Sequence, residues 1–150
     1  EKAKFLLQTK NPERLLEFFN HPLLNPENDE IIICTTLETN RHLHKYMQNA
    51  PAPRQRAEAM AKIANQGIKT YVTIEPIMDF DLEEFVELIR MCRPEQVNIG
   101  KNTSKVATVP NPTIQNTVAL VKELLKFTNV EIKSNSGQLK EALSQVGIKV

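Results

Sequence analysis

Residues 69–76 read KTYVTIEP. Val72 and Ile74 alternate with Thr73 and Glu75, and residues two apart share a face of an extended strand. Four other runs read the same way: Lys4–Lys10 (KFLLQTK), Glu30–Thr39 (EIIICTTLET), Gln96–Asn102 (QVNIGKN) and Val130–Asn135 (VEIKSN). One face carries Phe5 and Leu7, Ile31, Ile33 and Leu37, Val97 and Ile99, Val130 and Ile132. The other carries Gln8 and Lys10, Thr36 and Glu38, Asn98 and Asn102, Glu131 and Lys133. A parallel sheet covered by helices on both sides is apolar on both faces. One persistently polar face reads as the wall of a binding cavity.

Helical patterns fill the gaps. Asn11-Pro12 is a start signal, N-cap followed by Pro at N1, ahead of Leu15, Leu16, Phe18 and Phe19. A second helix spans Pro53 to Gln66, with Ala57, Met60, Ala61 and Ala64 on one stripe and Gly67 as its C′ residue. A third starts at Asp81, with Glu84 three later in a capping-box arrangement, carries Phe85, Leu88, Ile89 and Cys92, and stops at Pro94. A fourth follows Pro112, with Ile114, Val118, Val121, Leu124 and Leu125 along one side. A last helix runs from Ser136 to Gly147.

Strands separated by helical crossovers imply a parallel sheet. The fold class expected is α/β: a partial (β/α) barrel of about five parallel strands with helices on the outer face. Most connections are short. Residues 40–52 are the exception, and long loops in compact domains are usually functional or disordered. Five strands cannot close an eight-stranded barrel, so the sheet edges call for the missing remainder, another copy or a covering loop. The chain opens at once on a strand-like run without an initiator Met, and residues 1–150 are expected to be one α/β domain from a longer partial barrel.

Composition narrows the partners. A net charge of +1 favours neither nucleic acid nor anionic membrane. No apolar stretch approaches the roughly 20 residues that span a bilayer. No Gly-rich phosphate loop follows any strand. The two cysteines, Cys34 and Cys92, cannot form a CxxC site and read as buried free thiols of a reducing, cytoplasmic compartment.

Ligands in such sheets bind beyond the C-terminal strand ends. Glu38 and Glu75 end consecutive strand runs on the same parity. On neighbouring strands they would lie within one or two spacings of about 4.8 Å. They could act as acid and base, bind a cation, or accept hydrogen bonds from hydroxyls or an ammonium group. The alternative is a salt bridge from one of them to Lys10 or Lys133. His42 and His44 form an H-x-H pair without an obvious third ligand, and read as solvated loop residues. Arg41, Arg54 and Arg56 flank the same loop; Arg54 and Arg56 read as surface groups.

The strings KFLLQTKNPERLLEF (4–18), TTLETNR (35–41), PRQRAEAMAKIANQGIKTYVTIEPIMDFD (53–81) and VNIGKNTSK (97–105), in this order, resemble the C-terminal half of a radical S-adenosylmethionine protein. The likeness is to the group around spore photoproduct lyase and to phage-encoded radical S-adenosylmethionine proteins of unassigned substrate. It implies a partial (β/α) barrel, and S-adenosylmethionine and a [4Fe-4S] cluster in the parent protein. It implies cofactor contacts at Gln8, Lys10, Thr36, Glu38, Arg41, Thr73 and Glu75, and an unknown substrate near Asn98 and Lys101. The CxxxCxxC cluster loop of that superfamily is absent from these residues, so the resemblance implies a chain that is catalytically silent alone. Two other readings stay open: a metal-dependent barrel hydrolase or lyase using Glu38, Glu75 and a loop histidine, and a non-enzymatic α/β binding or assembly module.

Overall fold

A computed structural model describes residues 4–19, 30–103 and 108–150. The alternating runs form strands β1 (Lys4–Thr9), β2 (Glu30–Thr36), β3 (Lys69–Ile74), β4 (Gln96–Ile99) and β5 (Asn129–Ile132). All neighbours are parallel and the order is β1-β2-β3-β4-β5. A doubly wound sheet reverses its order at a switch point. This order never reverses, so the sheet is singly wound, the topology of consecutive units of a (β/α) barrel.

The helices are α1 (His44–Met47), α2 (Pro53–Asn65), α3 (Leu82–Met91), α4 (Ile114–Leu124) and α5 (Gly137–Gln145), with a 3₁₀ turn over Pro12–Phe18. That turn packs on α2, α2 on α3, α3 on α4 and α4 on α5, a single continuous layer. It covers the apolar face of the sheet. Ile33, Leu37, Val72, Ile74, Val97, Ile99, Val130 and Ile132 join Met60, Ile63, Phe85, Ile89, Leu120 and Leu124 in one core. The opposite parity has no helix over it among the described residues. Its register rows are Gln8, Cys34, Tyr71, Gln96 and Asn129, then Thr36, Thr73, Asn98 and Glu131. No helix among the described residues is long and apolar enough to cross a membrane.

Several local readings need correction. The Asn11-Pro12 start produces a 3₁₀ turn, not an α-helix; three residues per turn stack Leu16 over Phe19, which reach the core, while Phe18 stays 45% exposed. Asp81 does not cap α3, because its carboxylate is taken by Arg41 and Glu84 accepts from Asn40 instead. Thr113, just past Pro112, does cap α4: its Oγ1 accepts from Asn116 N at 3.1 Å. Gly67 and Gly147 close α2 and α5 with φ of +79° and +75°, a region that a side chain would strain. β4 ends at Ile99 and α4 begins at Ile114, a second long separation in sequence. Phe5, assigned to the covered face, is 47% exposed, and its neighbour Leu6 is 55% exposed, because β1 is an edge with no further strand beside it among the described residues.

Both cysteines are buried and free. Burial pushes the Cys34 thiol up to about 11 and the Cys92 thiol up to about 12. Thiolate is the reactive form. The native chain is therefore expected to react with Ellman's reagent at pH 8 far more slowly than the denatured chain, which should release two equivalents. Fast native labelling would contradict that burial.

Candidate functional site

Beyond the strand ends the same face continues, Lys10 following β1 beside Thr36, and Glu38, Glu75, Gly100 and Lys133 lying above the Thr36, Thr73, Asn98 row. Neighbouring strands put Glu38 and Glu75 side by side in sequence register, yet their side chains part. Each goes to a cation on its own flank.

Glu38 is 1% exposed. Its Oε1 accepts from Lys10 Nζ at 2.5 Å and its Oε2 from Arg56 Nη1 at 3.0 Å. Arg56 is 0% exposed. It also donates from Nη1 to Thr36 O (2.6 Å) and from Nε to Pro51 O (2.8 Å), tying the C-terminal end of β2 to the end of the 40–52 loop. Burial raises the Glu38 carboxyl, but the Lys10 hydrogen bond and the charges of Arg56 and Lys10 outweigh it and hold the group below the usual carboxylate range.

Glu75 turns the other way, across β4. It pairs with Lys133 and accepts from Asn135 Nδ2 at 3.0 Å. This crossing requires Gly100. A Cβ there would lie 2.7 Å from Glu75 Cδ. Gly100→Ala is therefore expected to expel the Glu75 side chain from Lys133 and Asn135. Loss of a partly exposed pair costs stability little, roughly 0–1 kcal/mol, so the change should appear as displaced Asn135 side-chain amide signals at nearly unchanged melting temperature. Unmoved Asn135 signals would contradict it.

Asn135 extends the network. Its Nδ2 donates to Lys101 O (3.2 Å), and Lys101 N donates to Asn135 Oδ1 (3.3 Å) and Ser136 Oγ (3.0 Å). Ile77, Ile99, Lys101, Asn135, Ser136 and Gln138 help to line a cavity of about 300 Å³ beside it. On the wall below, Gln96 Nε2 donates to Asn98 Oδ1 at 2.8 Å. Thr73 is 3% exposed, and its Oγ1 is buried without a hydrogen-bond partner among the described residues.

The residues singled out from sequence thus divide. Lys10, Thr36 and Glu38 meet at the β1–β2 end; Gln8 is exposed on β1, in register with Cys34. Thr73, Glu75, Asn98 and Lys101 gather around β3 and β4. Arg41 joins neither group. Its guanidinium pairs with Asp79 (2.6 Å) and Asp81 (2.7 Å), and Arg41 with Asn40 holds the Asp81 carboxyl down to about 2. His42 and His44 are exposed, with ring centroids 4.0 Å apart. No group of three or more His, Cys, Asp or Glu side chains able to hold a metal ion is found among the described residues.

Arg56 was the residue missed. The surface reading is overturned because Arg56 lies four residues before Met60 and seven before Ile63, on the buried stripe of α2. That spacing was the available signal.

No protein-family model, no curated protein and no solved structure matches the chain.

Proposed function

We propose that the chain is part of a radical S-adenosylmethionine-like enzyme, the sheet face away from its helices forming one wall of the cofactor and substrate cavity. One observation carries the reading: a singly wound parallel sheet keeps its helices on one side and sets threonine, asparagine and carboxylate groups on the other. The four stretches that resemble the C-terminal half of that superfamily include Gln8, Thr36, Thr73 and Asn98 of this face.

A [4Fe-4S] cluster does not fit these residues. The CxxxCxxC loop that the resemblance implies would supply three cysteine thiolates, and the two cysteines present are buried with raised thiol pKa values. S-adenosylmethionine fits better. The Thr73 hydroxyl, without a hydrogen-bond partner among the described residues, lies on the face away from the helices, two residues before Glu75. A buried hydroxyl without a partner costs free energy that a ligand hydrogen bond would restore. Glu75, whose side chain is 27% exposed, would accept from ribose hydroxyls once Lys133 yields. Gln8, Lys10, Thr36 and Glu38 would contribute the methionine end, with both Glu38 oxygens already occupied. Arg41 would act by shaping the loop after β2. Asn98 and Lys101 would face the substrate. The exposed β1 edge is where the preceding strands of the barrel, or a second copy, would pair. The buried thiols suit a reducing, cytoplasmic setting.

Incubation of the chain with S-adenosylmethionine and dithionite tests this division of labour. The expected result is no 5′-deoxyadenosine. Production of 5′-deoxyadenosine by this chain alone would sink the proposal.

A further inference from the structure

Thr73 is 3% exposed, although no helix lies over its face of the sheet among the described residues. Its hydroxyl has no hydrogen-bond partner among them either. The row one step beyond it is bridged. Thr73, Asn98 and Glu131 are in register on β3, β4 and β5, and Glu75, Gly100 and Lys133 each follow by two residues on the same face. The Glu75 side chain runs across Gly100, where a Cβ would meet it, and pairs with Lys133. A carboxylate–ammonium bar thus crosses from β3 to β5 at the C-terminal mouth of the sheet.

Lys133 has a second carboxylate within reach. Glu131 lies two residues before it on the same strand and face, and is exposed. Same-face neighbours on a strand lie about 6.6 Å apart, a span that a lysine stem and a glutamate close easily. The Lys133 ammonium goes to Glu75 instead. Its charge is felt inward over the sheet: burial pushes the Cys34 thiol of β2 up to about 11, and the charge of Lys133 opposes that rise.

We infer that Lys133 is a two-position latch on this face. Paired with Glu75, it bars the approach to the Thr73 hydroxyl and the Asn98 amide. Moved to Glu131, it clears both and leaves the Glu75 carboxylate to a ligand that donates hydrogen bonds or carries a cation. This role rests on the face being the ligand wall proposed above, and it is how that wall stays closed when empty. The side chains of Lys133 and Glu75 are 44% and 27% exposed, so exchanging one carboxylate for the other costs little, and modest differential binding shifts the balance.

The test reads access to position 73. The Thr73→Cys chain is treated with iodoacetamide, a neutral reagent, at pH 8. The label is located by peptide mass mapping, with the buried Cys34 and Cys92 as slow internal references. Adding Lys133→Ala should speed labelling at position 73 roughly threefold or more, the change in open fraction that loss of a partly exposed pair allows. Gly100→Ala displaces Glu75 and leaves the lysine charge in place. It should speed labelling likewise, so acceleration in both is not an effect of local charge on the thiol. Glu131→Gln should slow labelling, because the open position loses its partner. Added salt should speed it in the Thr73→Cys chain and leave the Lys133→Ala form unchanged. Equal rates with and without Lys133→Ala and Gly100→Ala would overturn the latch, and an unchanged rate in Glu131→Gln would overturn its open position. No ligand is present in these assays, so failure of the latch and failure to bind S-adenosylmethionine are separate results.

Discussion

Glu38→Ala is expected to destabilise the fold by about 3–5 kcal/mol, the cost of leaving a buried guanidinium without its counter-charge. Arg56 cannot reach water, so it cannot recover that loss by hydration. Urea unfolding followed by circular dichroism measures it. The pair Glu38→Leu with Arg56→Met should recover most of the loss, since apolar replacement of a whole buried ion pair is often neutral or better. A cost below about 1 kcal/mol for Glu38→Ala would place the pair among weak surface bridges and contradict its burial. Acid should have a related effect. The Glu38 carboxyl sits below its unfolded value of 4.5 when folded. The folded state therefore binds that proton less readily, and the stability gained is complete above pH 4.5 and lost as pH falls through the folded value. Wild type should lose stability over that range, and Glu38→Leu/Arg56→Met should lose less.

Phe85→Ala should cost a similar amount, about 3–5 kcal/mol. Phe85 is 0% exposed, and its ring lies 5.2 Å from that of Phe80, centroid to centroid. Phe85 belongs to α3 and Phe80 to the connection between β3 and that helix, so the pair fixes where the segment after Glu75 leaves the sheet. The loss is read from the same urea curves. A loss under about 1.5 kcal/mol would mean that the site collapses around the missing ring, which this packing does not allow. Leu125→Ala, at a 40% exposed position of the helix layer, serves as a control and should change stability by no more than about 0.5 kcal/mol.

Strands were the most legible part of the chain, because period-two alternation is a local property and the two faces differ in chemistry. The strand order also followed, since each helical crossover returns the chain to the neighbouring position. Single-sided helix coverage was legible from the polar parity. Partners were not. Lys10 and Glu38 are 28 residues apart and Lys133 and Glu75 are 58 apart, so choosing among the cations needed three-dimensional distance. The split of the two carboxylates had a partial signal in Gly100, the one position in that register without a side chain, which lets Glu75 cross β4. Asp81 failed as a cap because Arg41 competes for its carboxylate from 40 residues away. Local capping rules do not contain such a competitor.

The central claim is that the sheet face away from the helices is a wall for S-adenosylmethionine. A titration of the ¹⁵N-labelled chain with S-adenosylmethionine, under conditions where no chemistry occurs, tests it most directly. The expected result is shifts confined to that face and its mouth: Thr36, Thr73, Glu75, Asn98 and Lys101, with the Asn135 side-chain amide moving as Lys133 gives way. Absence of any shift on that face at saturating ligand, or shifts restricted to the helix layer of α2 to α5, would contradict it.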